Sequence, residues 1–510
     1  MVMKNRIIPI ILLLACGPAA WGQMRTNPID KLDWQNPWLG SGNMSGMSYN
    51  YFLEKEKTTL TEAAIGADYE NGAFRNVYDP EKAVTAGIGI ESYSKLDKVF
   101  LYGRFNYAYQ YSWDNSWRGS IHPYDKPFML VDNIPGNITD ETYDMQAGIG
   151  IRFGKFSLGF DISYYVGIMA KQKDLRNRNT DMLFCFAPGI SYDSGHVRLG
   201  LNAGYRRGTE KVEYTQIAGN KENYLYYIYG MWLYNSYGYS SAETSRFTGG
   251  NTAFGNFQID ADAGNVRIFN NFGADYRTSE QGETGYNNLR YGAVKDLTLS
   301  DRLVLQIAEK HRITASYSNC QMSADRFLQQ QELDPDSGIR RWKDYGGSQL
   351  CWSKKMNDAG IDYHFRDPLK WEIYAGAAYS GTEQIYSSFP LTFRQKFVSV
   401  EPYLGASKFF YGSKTRWELE PRICYRFMNE VVRNEISVPE GVVYESSGTI
   451  QLEEPLAKEA DFFGNDRLGA SVGLTCDFWR MYVGASYGFF RAPSLNQNRH
   501  AAQLKVGIAF

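Results

Sequence analysis

Few residues of this chain could do covalent chemistry. There are five histidines: His122, His196, His311, His364 and His500. Hydrolysis would need a nucleophile or an activated water beside one of them. Ser494 stands six residues before His500, a pairing that any polar loop supplies. No G-x-S-x-G elbow and no H-E-x-x-H run occurs. The expectation is a protein that is not an enzyme. Cys16, Cys185, Cys320, Cys351, Cys424 and Cys476 lack the close spacing of a zinc site or a disulfide framework. Cys476 lies on an apolar strand phase, where a small hydrophobe suffices. Tyr78-Asp79-Pro80-Glu81-Lys82 and Asp334-Pro335-Asp336-Ser337-Gly338 read as turns, and the second lacks EF-hand spacing. No metal and no cofactor is expected.

Three other sets of residues point to binding or passage. Arg104, Arg152, Asp161, Arg198, Arg206, Glu372 and Lys505 share the polar phase of alternating segments. Ladders of opposed charge can select small polar solutes, or they can pair with each other and with an inserted loop and so fill an interior. Tyr224 to Tyr239, YLYYIYGMWLYNSYGY, holds seven Tyr and one Trp in 16 residues. Its aromatic faces, among them Tyr224, Tyr226, Tyr227, Tyr229, Trp232 and Tyr234, can stack on a ring or an apolar ligand, dock a partner, or belong to one more strand. Lys171-Gln172-Lys173-Asp174-Leu175-Arg176-Asn177-Arg178 carries four cations. They suit the phosphates of an anionic surface or a solvated loop with local ion pairs.

The elements that must position these residues are strands. In 99–111, Val99, Leu101, Phe105, Tyr107, Tyr109 and Tyr111 share one face, and Phe100, Tyr102, Arg104, Asn106 and Gln110 the other. The same period of two runs through 145–153, 156–170, 197–206 and 481–489. Soluble strands usually span about 5–6 residues, and these runs are of the length that crosses a bilayer at a tilt. The polar phase is Gly, Ser, Asn and charge, which suits a wet lumen. Connections alternate short (Gly154-Lys155, Asp193–Gly195, Tyr411–Ser413, Asp477–Arg480) and long (114–141, 207–250, 326–352, 428–465). With the short turns on one side, Tyr107, Tyr109, Tyr111, Tyr164, Tyr205, Tyr487 and Phe489 fall at one interface. Phe153, Phe156, Phe478 and Phe510 then fall at the other, so two aromatic girdles emerge.

Composition agrees. Of 510 residues, 15% are aromatic and 49 are Gly against 17 Pro, with 43% apolar and 22% charged. A net charge of −2 offers no global field for nucleic acid. Residues 1–22 read as a cleaved export signal: Lys4 and Arg6, an apolar run from Ile7 to Ala15, then Ala20-Trp21-Gly22 before Gln23. Leu13-Leu14-Ala15-Cys16-Gly17 offers a rival cut that would leave Cys16 lipidated. Residues 23–43 read as an N-terminal lumenal or periplasmic arm, too short for a folded plug domain, and 44–510 as the strand-bearing body.

The terminal strand Leu504-Lys505-Val506-Gly507-Ile508-Ala509-Phe510 alternates and stops on Phe510. It resembles the signal by which the outer-membrane assembly machinery selects its clients. With the export signal and the hairpin train, nearly the whole mature chain resembles a Gram-negative outer-membrane β-barrel. That resemblance implies an all-β fold: a transmembrane antiparallel barrel of about 16–18 strands with short periplasmic turns and long external loops. It implies the outer membrane as location, with its lipid and lipopolysaccharide and the assembly machinery as partners. Asn36-Pro37 near the mature N-terminus also loosely resembles the hatch of fatty-acid-transport-type barrels. The functional expectation is a channel or transporter for small polar or amphiphilic solutes. The alternative is a non-conducting barrel that anchors or assists a surface uptake or secretion complex through a surface or receptor partner.

Overall fold

A strand with one apolar and one polar face can lie in a bilayer only if its backbone groups are all paired, which requires closure. The computed structural model describes residues 37–46, 59–217, 223–239, 244–283, 289–308, 310–333, 335–338, 340–367, 370–440 and 451–509. Its strands are β1 Thr59–Asn71, β2 Lys82–Leu96, β3 Val99–Asn115, β4 Met129–Val131, β5 Gly136–Phe153, β6 Phe156–Lys171 and β7 Arg176–Asp193. They continue with β8 Val197–Thr215, β9 Asn223–Ile228, β10 Tyr234–Tyr239, β11 Thr244–Asp262, β12 Val266–Glu283, β13 Arg290–Ile307 and β14 His311–Leu333. The last are β15 Arg340–Asp367, β16 Trp371–Ser388, β17 Leu391–Tyr411, β18 Thr415–Ser437, β19 Arg467–Phe478, β20 Met481–Ala492 and β21 Gln497–Ala509. One helix, α1 Glu453–Phe463, lies between β18 and β19.

Eighteen strands form one sheet, each pairing antiparallel with the next barrel strand in the chain, so that β3 pairs with β5 and β8 with β11. The sheet closes where β1 meets β21, in register from Glu62 opposite Ala509 to Asn71 opposite His500. Closure leaves the barrel's spanning part without an open edge. The remaining three strands, β4, β9 and β10, make a separate small sheet of order β10-β9-β4.

The alternation falls as the residues foretell. Ile65, Leu101, Phe105, Leu158, Leu201, Phe272, Ile361 and Leu404 are exposed on the outer face. Phe100, Tyr102, Asp161, Arg198 and Glu372 are buried on the inner one. Tyr109, Tyr205 and Tyr487 stand outward at the long-loop end, Phe153 and Phe156 at the short-turn end. A closed barrel with this apolar exterior is an outer-membrane β-barrel, and its short turns are taken as periplasmic.

The external hairpins differ in detail from the sequence expectation. Strands run on past the apolar band, so β8 reaches Thr215 and β15 covers 28 residues. Such continuation raises no backbone cost, because each added pair satisfies its own hydrogen bonds. The cationic stretch Lys171–Arg178 is therefore half strand, with residues 172–175 as its turn. Phe510, the export signal and the arm up to residue 36 lie outside the described residues.

Candidate functional site: a lumen occupied from both ends

The inner face carries Gly where backbone or ring must come close. A Cβ at Gly159 would sit 2.2 Å from the Ser45 nitrogen, and one at Gly148 would sit 2.6 Å from Met44. These glycines seat the segment from Pro37 to Gly46, which lies inside the barrel. Trp38 donates its indole N–H to Asp260 on β11 (2.7 Å) and tilts against Phe269 on β12 at 5.5 Å. Asn43 bonds Gln258 at 3.0 Å, and Gln258 in turn bonds Asn202 and Asn271. Met44 packs with Tyr93, Phe100 and Tyr102. The Asn36–Asn43 stretch, read as lumenal or periplasmic, is thus lumenal from Pro37 onward.

The external end is occupied too. The Tyr-rich stretch is neither a spanning strand nor a projecting loop. It forms the hairpin of β9 and β10, pairs with β4 and turns inward at Gly230, whose φ of 110° a side chain would oppose. Phe128, Met231 and Leu233 enter a core with Cys320, Met322, Cys351, Trp352 and Phe393 of the wall. Burial of such side chains stabilises by about 1.5–3 kcal/mol each. Tyr227 gives its hydroxyl to Glu283 (2.7 Å) while Arg246 lies over its ring at 4.8 Å. Arg326 lies over Tyr229 at 4.5 Å. Tyr226 tilts against Trp117 and edges Tyr234, and Tyr224 is exposed. Trp232 is buried and bonds Glu459 on α1.

A second segment completes this lid. Leu452 donates its backbone N–H to the Trp232 carbonyl (2.9 Å), and the Gln451 amide donates to the Met231 carbonyl (2.9 Å). Residues 116–128 are tied to the wall by Lys126 and Ser120 on Glu210 and by Arg118, bidentate to Asp140 at 2.9 and 3.0 Å.

The polar-phase charges are distributed among partners. Arg104 pairs with Asp144 (2.8 Å), Arg206 with Asp275 (3.2 Å) and Lys505 with Glu62 (3.4 Å). Arg198 shares Asp260 with Arg267 and Trp38. Asp161 accepts from Gln146, and Glu372 meets His364 at 2.9 Å. Arg152 differs: its side chain is 45% exposed and Asp193 is 3.9 Å away, near the short turns. Lys171 is buried on Asp132, whose carboxyl burial pushes upward against the pull of that lysine. His122 reaches Asp181 (3.3 Å), His500 reaches Tyr487 (2.6 Å) and Ser494 donates to Asn465 (2.8 Å), so Ser494 and His500 go to different partners.

Between lid, α1 and wall lies a chamber of about 390 Å³. Tyr78, Tyr124, Trp232, Trp352, Met356 and Phe462 form much of its apolar lining. Asp79 and Glu459 also line it, and desolvation raises both carboxyls above the ordinary range. The sequence reading missed α1, Glu459 and Asn76. The available signal was amphipathic: Leu456, Ala460 and Phe462 are buried, while Glu454 and Lys458 form an exposed i,i+4 pair.

Fold and lumen together define a plugged outer-membrane β-barrel. The chain belongs to a family of unknown function, DUF6850, whose family model matches residues 50–510. No curated protein matches the sequence. Among solved structures it is similar to the copper transporter OprC, with 8% identity over 89% of this chain and 82% of that one and a TM-score of 0.43. It is also similar to the siderophore receptor PiuA from Acinetobacter baumannii, with 9% identity, 89% and 82% coverage and a TM-score of 0.42. A third is the RagAB peptide importer, with 6% identity, 86% and 72% coverage and a TM-score of 0.43. These likenesses assign no solute.

Proposed function

We propose that this protein is a gated transport barrel for small polar or amphiphilic solutes, held here in its closed form. The supporting observation is that the chain's own segments occupy the lumen at both ends, Pro37–Gly46 below and the β9–β10 hairpin above, and leave a lined chamber beneath the hairpin. A permanently filled interior would need no chamber. A free porin would need no lid.

Conductance in a planar bilayer tests this. The full chain is expected to be silent. Replacing Tyr224–Tyr239 by a short Gly-Ser link is expected to give ohmic steps, and adding Trp38→Ala should enlarge them. Silence of all three correctly folded proteins would overturn the reading.

That outcome would favour a barrel that anchors or assists a surface complex. The hairpin of β14 and β15 supports this second reading: its long strands expose Leu328, Leu333, Tyr345 and Leu350. A mild-detergent pulldown with and without residues 328–350 tests for the partner.

A further inference from the structure

The chamber's charges mostly have partners, some charged and some neutral, although the buried Nε of Arg499 has no acceptor among the described residues. Arg499 binds Glu70 (2.7 Å) and the Pro80 carbonyl (3.1 Å). Arg118 is bidentate to Asp140, and Lys126 is on Glu210. Lys354 donates to the Tyr124 carbonyl (3.2 Å). Asp79 accepts from the Asn76 backbone N–H (3.2 Å) and the Tyr124 hydroxyl (3.4 Å), and Glu459 accepts from Trp232 (2.6 Å). Burial favours the neutral form of both acids. An ionic ligand would have to compete with these partners and lose its own hydration.

Two neutral donors are different. The indole Nε1 of Trp352 and the side-chain Nδ2 of Asn76 are buried and have no hydrogen-bond partner among the described residues. The residues are 3% and 2% exposed, and both line the chamber. The amide of Asn76 is oriented by the bond its Oδ1 accepts from the Val77 N–H (2.7 Å), so Nδ2 is a donor without an acceptor. Buried donors left unmade are costly, and both would be satisfied by acceptor oxygens.

We infer that the chamber is a binding site for an uncharged amphiphile: an apolar, preferably flat body that packs on Trp232, Trp352 and Met356 and carries oxygens that accept from Trp352 and Asn76. This rests on the transport reading and names the class of its solute. A saccharide alone underuses the methionine and phenylalanine surface, and an organic ion would lose its hydration for a site whose lining is mostly apolar.

The test is equilibrium binding of coumarin, a neutral flat lactone, to the full chain in lipid nanodiscs, measured against empty discs. Coumarin-3-carboxylate and methyl β-glucoside are the comparisons. Coumarin is expected to bind at least tenfold more tightly than either. Trp352→Phe keeps an aromatic face, smaller than the indole, and removes the donor, and should weaken coumarin at least about tenfold, the worth of one buried hydrogen bond. Asn76→Asp keeps the acceptor for Val77, removes the donor and lies outside the barrel wall, so it serves if the first variant does not fold. Equal or tighter binding of either comparison, no binding of coumarin, or unchanged affinity in both folded variants would overturn the inference. The two readings fail separately. Conductance without coumarin binding removes this site alone; coumarin binding in a barrel that stays silent removes transport and leaves the site.

Discussion

The indole N–H of Trp232 donates to the Glu459 carboxylate at 2.6 Å, joining residues 227 positions apart. One sits at the turn of the Tyr-rich hairpin, the other on α1. Both line the chamber, so this bond couples the two parts of the lid above it.

Glu459 should make the lid sensitive to pH. Its pKa is raised from 4.5, by burial first, with the Trp232 bond and the field of Lys354 opposing. A raised carboxyl binds its proton more tightly in the closed lid than when open to water. Closure is therefore strongest below about pH 4.5 and weakens as pH rises from there through the closed-state pKa. Asp79 is raised in the same direction and adds to the slope. Hydrogen exchange of the β9–β10 amides should slow on acidification. Glu459→Gln keeps an acceptor without the titration and should flatten most of that dependence; an unaltered slope would assign it elsewhere.

Gly159 is expected to be the seat of the inner plug. A Cβ there meets the Ser45 nitrogen at 2.2 Å, while one at Gly103 meets nothing within 4 Å. In the barrel lacking Tyr224–Tyr239, Gly159→Ala should therefore raise conductance as Trp38→Ala does, and Gly103→Ala should not. Equal behaviour of the two alanines would remove the plug from the permeation path.

Ion selectivity of the lid-deleted barrel should depend on Arg152 more than on Arg104. Arg152 is half exposed, donating to the Gly154 carbonyl at 3.0 Å with Asp193 at 3.9 Å, whereas Arg104 is bonded to Asp144 at 2.8 Å. Arg152→Glu should shift reversal potentials toward cation preference. Arg198→Glu would set a second carboxylate beside Asp260 in the site holding Trp38, because Arg198, Arg267 and Trp38 share Asp260. It is expected to loosen the plug rather than tune selectivity, read as larger single-channel steps.

Tyr227 should anchor the hairpin twice over, by its hydroxyl on Glu283 and by its ring beneath Arg246. Tyr227→Phe removes only the first, a loss of about 1 kcal/mol. Tyr227→Leu removes both and costs roughly 1 kcal/mol more. The β9–β10 amides should exchange faster in that order; no difference between the variants would leave the arginine stack without a role.

The barrel was legible because its signal is local. The period of two in 99–111 or 156–170 says which side chains face lipid wherever the strand ends up in the sheet. The inward phase of Arg104, Asp161, Arg198 and Glu372 follows from the same count. The lid was not legible. A hairpin rich in Tyr and Trp has the same composition whether it meets a partner, a ligand or its own barrel. Glu459 looked like one more loop acid, because nothing near it in the chain announces Trp232.

The sequence alone therefore determined the closed antiparallel barrel and its apolar exterior. Alternating polarity is written residue by residue, and a bilayer admits only a closed sheet as its solution. The tertiary structure decided where the long connections go. Those carrying Phe128, Met231 and Leu233 turn inward because these side chains find apolar wall at Cys320, Met322 and Trp352, contacts set by strands far away in the chain. It also decided that Asp260 serves Trp38, Arg198 and Arg267 together, since three groups converge on one carboxylate only when the register of the closed sheet brings them there.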